Sequence, residues 1–408
     1  MASDKSQQKT HSKKSPSSKF RAVMKTSLKN VNEAGSQRKK SSKNNQHYLD
    51  NSRKGKFPSH VAPMLATLID KPFEEKGWLY EIKWDGYRTI AYIRKGSVDL
   101  KSRNDKSFNE KFYPVLNALS KIDFDIVLDG EVVVVDEKGL SNFGALQNWR
   151  SEADGELMYY VFDILWLNGK NLMELPLSER KEILNNVIRE NNIIKISQAY
   201  DESGIEFFEA SKKIGLEGII AKKAQSIYHA GDRSKEWLKI KANKRQEMVV
   251  GGFTKNEDTS KLFSALLVGV FKDGVLHYTG KVGTGFNDKM QREMMRKFKP
   301  LIISKPAFEE KPDVNKPSRF RPNPPHAEVF WLEPKLVCEV NFTEVTSDGI
   351  MRHPSFEGLR IDKKASDVVF EKEKPAKKTV KEADVISRKQ MIRKPGKSDR
   401  QKRQKREK

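Results

Sequence analysis

One cysteine, Cys338, occurs in 408 residues. That excludes an intramolecular disulfide and any multi-cysteine zinc site. Long apolar runs are missing as well. The longest mainly apolar stretch, residues 157–167, is interrupted by Asp163 and reaches about half the length of a membrane-spanning helix. The opening residues, Met1-Ala-Ser-Asp-Lys-Ser-Gln-Gln, contain no apolar core, so no secretory signal is expected. Hydrophobic residues make up only 37% and charged residues 33%, so part of the chain is expected not to fold. The absences together point to a soluble protein of a reducing compartment, and the length suggests two or three domains.

Positive charge is in excess, at a formal net of +23. Its placement is uneven. Residues 1–56 carry 15 Lys or Arg against 3 Asp or Glu, and residues 373–408 carry 15 against 5, leaving 48 against 47 between them. Neither end has enough apolar surface to offset the entropy of ordering it, so both are expected to be disordered basic tails. Such arms suit electrostatic capture of nucleic acid through phosphate contacts, or simple solubilisation. A Ser/Lys-rich, acid-poor N-terminus also fits a transit peptide or nuclear signal, and composition leaves these open.

From Trp78 onward, short β-rich runs recur at 79–84, 89–93, 98–101, 126–135, 159–166, 218–223 and 237–241. Helices are expected in 106–119, starting properly near Tyr113 because of Pro114, from Ser178 as N-cap, and over 204–214. Strands without regular crossovers read as α+β built on antiparallel sheet. A second series, 248–253, 263–271, 275–282, 329–332 and 336–346, with a helix at 288–298, suits a small OB-fold β-barrel. The charged turn 242–247 is the expected hinge. The domains expected are thus 57–245 and 246–372, with tails 1–56 and 373–408.

The chemistry sits in an ordered series of short motifs: Glu81-Ile-Lys83-Trp-Asp85-Gly86-Tyr-Arg88, Ser102-Arg103-Asn104, Leu128-Asp129-Gly130-Glu131, Val161-Phe162-Asp163, Glu217-Gly218-Ile-Ile-Ala-Lys222, Trp237-Leu-Lys239-Ile-Lys241 and Arg360-Ile-Asp362-Lys363. Singly, each has an ordinary structural explanation. Lys83 precedes an Asp-Gly turn, which places its amine at a strand end. Lys239 and Lys241 alternate on a strand and share one face. Asp123-Phe-Asp125 has the spacing of a polymerase carboxylate pair, but no other polymerase feature accompanies it, and strand-edge charges account for it better.

Taken in order, the series resembles the covalent nucleotidyltransferases, specifically the ATP-dependent DNA ligases, and within them the ligase module of bacterial DNA ligase D. The resemblance covers residues 57–372. It implies an antiparallel-sheet nucleotidyltransferase (adenylation) domain followed by an OB-fold domain. It also implies a reaction in which Lys83 attacks the α-phosphorus of ATP, AMP passes to a DNA 5′-phosphate, and a 3′-hydroxyl displaces it. By resemblance Glu81 lies beside adenine, Phe162 stacks on it, and Arg88 and Arg103 read phosphate. Glu131 contacts the ribose or a metal through water, and Glu217 binds a divalent ion, Mg²⁺ with Mn²⁺ able to substitute. Lys239 and Lys241 neutralise the α-phosphate and lower the pKa of the nucleophile. Arg360 and Lys363 touch the pyrophosphate leaving group. The implied partners are duplex DNA with nicks or ends and a Ku-like end-binding protein, for a monomer with no membrane association, in the cytoplasm or nucleoid if the source is bacterial. Two alternatives stay open: an RNA ligase or capping-type nucleotidyltransferase, and a non-enzymatic OB-fold nucleic-acid-binding protein.

Overall fold

Two sheets meet along the four residues that begin with Lys83. The strand Trp78–Ile82 belongs to a four-stranded sheet, ordered Leu65–Leu68, Arg233–Lys241, Gly218–Lys223, Trp78–Ile82. The next strand, Tyr87–Arg94, belongs to a seven-stranded sheet in which it lies between Ser97–Ser102 and Ile126–Val135. The chain therefore changes sheets across residues 83–86. The structure is a computed structural model and describes residues 47–393, apart from 51, 258, 318–321 and 323–325.

The pairings are antiparallel except where Leu65–Leu68 runs beside Arg233–Lys241 and Ile194–Ile196 beside Glu156–Leu167. Ile126–Val135 shows why the seven-stranded sheet is buried on both sides. Its alternate residues Ile126, Leu128, Val132 and Val134 enter one apolar core, while Val127 and Val133 on the other face enter two more. A near-continuous apolar run is what a two-residue period requires when both faces are covered. The helix Tyr113–Leu119 begins with proline in its first turn, where a missing N–H costs nothing. The helix Leu177–Val187 differs from expectation: Pro176, not Ser178, is its N-cap. Its first N–H groups are taken by backbone instead, Leu177 donating to the Ser226 carbonyl and Ser178 to that of Ala224.

A third sheet, ordered Val275–Val282, Ala265–Lys272, Arg245–Asn256, Ala327–Asn341, Ile302–Ile303, with Ser355–Leu359 also on Ala327–Asn341, carries its own core around Val249, Phe253, Leu267 and Val340. The helix Asp288–Phe298 lies between its strands in sequence and buries Met294 and Phe298. The molecule is thus a mixed α+β protein with antiparallel sheets. Among the described residues no helix is long and apolar enough to cross a membrane.

Both tail assignments need correction. Residues 47–50 are helical, Tyr48 donates to Glu182 Oε2 at 2.9 Å, and Arg53–Lys54 pairs with Lys170–Asn171, so ordered structure precedes residue 57. At the other end, Ala376–Arg393 is a helix. Lys377, Lys378, Lys381, Arg388 and Lys389 are exposed, whereas Ala376, Thr379, Val380, Ala383 and Ser387 recur at helical spacing and are buried. Net charge summed over the segment concealed that stripe. Residues 1–46 and 394–408 lie outside the described residues.

Candidate active site

A cavity of about 540 Å³ opens where the three sheets approach one another. Glu81, Lys83, Arg88, Arg103, Glu131, Phe162, Glu217, Lys239, Lys241, Arg360 and Lys363 all line it. The local chain path explains the placement of Lys83. Its N–H donates to the Gly218 carbonyl at 3.0 Å, which fixes the end of the strand. Three residues on, Gly86 packs so close to the neighbouring strand that a Cβ would lie 2.2 Å from the Val132 carbonyl oxygen. Only glycine fits, and the sharp passage between sheets leaves the Lys83 side chain at the cavity wall.

Lys83 Nζ donates to Glu217 Oε2 at 2.5 Å, with side chains 21% and 5% exposed. Burial pulls the Lys83 pKa down, but Glu217, Asp85 and Glu131 outweigh it and the net shift is upward. Lys239 and Lys241 do share the cavity face, as strand alternation requires, while the intervening Ile240 and the preceding Leu238 are buried. Lys239 is lowered to about 8, chiefly by burial. Its amine lies 2.6 Å from Glu371. Lys241 donates to the Arg245 carbonyl at 2.8 Å, at the start of the third sheet.

Glu131 is raised to about 8, chiefly by burial, and Lys83 and two arginines do not fully offset that. Asp85 is raised to about 7 by burial, with Glu217 and Glu339 adding to it, although Arg245 Nη1 lies 2.8 Å away. Glu81 is deeper, 1% exposed, forms an ion pair with Lys181 at 2.6 Å and accepts from Lys222 at 2.9 Å. The aromatic wall consists of Phe162 and Trp237, nearly perpendicular at 80° with centroids 6.3 Å apart. The Lys222 amine lies 4.4 Å and 4.3 Å from those two ring centroids.

Arg88, Arg103, Arg360 and Lys363, also expected at phosphate, differ in how free they are. Arg88 forms a fork with Asp129, at 3.0 and 2.6 Å, and its remaining arm donates to the Met64 carbonyl at 2.6 Å. Arg103 makes no hydrogen bond or ion pair among the described residues, and burial lowers its pKa. Arg360 pairs in a fork with Asp362 at 3.0 Å for both contacts, reaches Glu339 at 3.2 Å and lies 4.5 Å from the Phe143 ring centroid. Lys363 binds Glu247 at 2.8 Å. Burial works to raise Glu247, but Lys363 and Arg360 hold it far below the usual carboxylate range.

Several cavity residues carry no role in the sequence reading, although Lys222 and Trp237 stand within its motifs. Lys222 and Trp237 face each other across paired strands, and the alternation that selected Lys239 would have reached both. Arg233 and Glu371 carried no local signal. Glu371 sits in the mixed-charge run Glu371-Lys-Glu-Lys374. Asp123 and Asp125 do not line the cavity; Asp125 accepts from the Lys95 N–H at 2.8 Å, a strand-edge role.

Among the described residues no three His, Cys, Asp or Glu side chains group closely enough to hold a metal alone. Glu217 and Glu131 nevertheless bring two carboxylates to a cavity rich in cations. That donor set suits Mg²⁺, which takes one or two carboxylates and completes its shell with phosphate oxygens and water.

Comparison with known proteins bears on the same residues. The family described as the ATP dependent DNA ligase domain matches residues 63–241, and the ATP dependent DNA ligase C terminal region matches 259–363. The multifunctional non-homologous end joining protein LigD of Pseudomonas aeruginosa is 33% identical over 323 residues, 78% of this chain and 37% of that protein. Its namesake from Mycolicibacterium smegmatis is 36% identical over 324 residues, 78% of this chain and 41% of that protein. The chain thus spans about two fifths of the length of these curated relatives. A solved structure of mycobacterial DNA ligase D complexed with ATP and MES is 33% identical, covers 76% of this chain and 98% of its own, and superposes with a TM-score of 0.56. The matches take in every motif from Lys83 to Lys363, and the chain belongs to the ATP-dependent DNA ligases.

Proposed function

We propose that this ligase seals nicks or breaks in duplex DNA by way of AMP carried on Lys83. The observation that carries the reading is the Lys83 amine at the wall of a cationic cavity, 2.5 Å from Glu217 and sharing that cavity with Lys239 and Lys241. An ammonium has no lone pair, so the Lys83–Glu217 pair must open before attack. Burial and the neighbouring lysines then favour the neutral amine. Nζ forms its bond to the α-phosphorus of ATP as the bond to pyrophosphate breaks. Lys239 and Lys241 meet the charge on the α-phosphate, and Arg360 and Lys363 that on pyrophosphate, where contacts that strengthen in the transition state count most. Phe162 and Trp237 offer faces to adenine. Arg103, with its fork unclaimed, reads the nick 5′-phosphate, and Arg88 supports the wall through Asp129. Glu217 and Glu131 would hold Mg²⁺, which would neutralise phosphate charge when bound; Mn²⁺ would serve similarly.

The third sheet reads as an OB-fold barrel, supported by its six antiparallel strands and a helix interposed between them in sequence. The names of the relatives support a role in non-homologous end joining; a Ku-like end-binding partner and a cytoplasmic or nucleoid setting complete the reading. Incubation with ATP and Mg²⁺, followed by intact mass measurement, tests the reading directly. An AMP adduct followed by joining of a nicked duplex supports it. An adduct from GTP alone would favour a capping enzyme, and no adduct would favour a non-catalytic binder.

A further inference from the structure

After the third sheet, residues 369–374 cross the cavity, and Glu371 settles on two of its cations. Its carboxylate accepts from Lys239 Nζ at 2.6 Å and from Arg233 Nη1 at 2.8 Å, while its own N–H donates to Gln246 Oε1 at 3.3 Å. The segment is anchored on both sides. Gln246 Nε2 donates to the Val369 carbonyl at 3.0 Å, and Lys374 exchanges backbone hydrogen bonds with Leu68 and Asp70 along the sheet edge. The helix Ala376–Arg393 then docks on the four-stranded sheet. Val380 and Ala383 join the core beside Trp78 and Ile240, Lys235 pairs with Glu382 at 2.9 Å, Lys223 pairs with Asp384, and Ser387 donates to the buried Glu236 at 2.5 Å. The match to the ATP dependent DNA ligase C terminal region ends at residue 363, before this segment.

We propose that this C-terminal strap is a built-in competitor for nucleotide phosphate: Glu371 takes the place of an anionic oxygen on Lys239 and Arg233, and the docked helix holds it there. The inference rests on the reading that Lys239 engages phosphate. A carboxylate and a phosphate oxygen satisfy a lysine and an arginine in the same way, by charge-assisted hydrogen bonds, so both cannot hold these donors at once. Phosphate entry then requires the strap to give way, and the strength of the helix's docking sets how readily it does so.

The test uses the full chain and two readouts. Single-turnover formation of the AMP adduct is followed against ATP concentration, and binding of inorganic pyrophosphate is measured by calorimetry. Glu371→Gln should lower the half-saturating ATP concentration and the pyrophosphate Kd by about tenfold, the scale of one charge-assisted contact. The exposed neighbour change Glu373→Gln should alter neither. Glu382→Lys with Asp384→Lys, which sets lysines against Lys235 and Lys223, should act in the same direction as Glu371→Gln. Unchanged or weaker pyrophosphate binding by a folded Glu371→Gln protein overturns the strap. Absence of any adduct in the parent chain would overturn the nucleophile reading instead, and the pyrophosphate arm would still judge the strap.

Discussion

Lys83 and Glu217 sit 2.5 Å apart although 134 residues separate them, and the pair holds the proposed nucleophile as an ammonium. Because Glu217, Asp85 and Glu131 shift the lysine upward, its neutral fraction at pH 7 is small and grows about tenfold per pH unit. Single-turnover adenylation at saturating ATP should therefore rise close to log-linearly from about pH 6.5 to 8.5. A flat profile would show that the amine is already neutral once ATP is bound. Lys83→Ala should give no adduct while still binding nicked DNA.

Arg88 and Arg103 should separate cleanly. Arg88→Ala strands Asp129, which is fully buried, and should cost about 3–5 kcal/mol of stability. Arg103→Ala removes no ion pair and should melt within a few degrees of the parent, yet seal nicks far more slowly. Denaturant curves run beside a sealing assay check this; a strongly destabilised Arg103→Ala would mean that it too belongs to the scaffold.

For Glu131 the linkage has a definite sign. Its folded pKa, about 8, lies above the ordinary carboxylate value near 4.5. The folded state thus holds a proton that the unfolded state releases between those values, and stability falls as pH rises through that window. Glu131→Gln cannot lose that proton. Its Tm advantage over the parent should be small at pH 4.5, widen up to about pH 8 and then level off. A gap independent of pH would contradict the buried, protonated carboxyl.

Arg360 and Lys239 should divide the reaction by step. Arg360→Ala should cripple formation of lysyl-AMP but largely spare sealing of a nick that already carries 5′-AMP. Lys239→Ala should damage both. Because Arg360 is also tied to Asp362 and Glu339, the comparison is made below the melting onset of each variant. Equal loss of both activities in Arg360→Ala would assign the residue to holding the third sheet together.

The termini should act by charge alone. Residues 1–46 contain 12 Lys or Arg and residues 394–408 contain 8. Removing both segments should weaken DNA binding and flatten its dependence on salt, since fewer counterions are released. Adenylation should survive, because residues 47–393 keep the helix Ala376–Arg393 and its contacts. Cutting at 373 instead would strip that helix and should lower Tm. Unchanged affinity and salt slope after the shorter deletions would leave the tails as solubilising segments.

Much of the site was legible before any coordinates. Motif order picked out Lys83, and two-residue alternation placed Lys239 beside Lys241, because side-chain direction along a strand depends only on local geometry. Pro114 marked the start of its helix for a similarly local reason. What the chain alone determined was therefore which residues point together within each element, and how the elements divide between α and β. Tertiary structure decided which partner each charge takes. Arg88 reads as a phosphate ligand in its motif and proves to be forked onto Asp129, 41 residues away. Glu371 reads as one charge in a solvated run and lands on Lys239. Residues 376–393 read as part of a disordered tail when charge is summed along them but form a helix, because folding depends on how apolar and charged residues partition between two faces of a helix. An ion pair between distant residues has no local signature: its energy depends on separation and burial, and both exist only once the sheets have met.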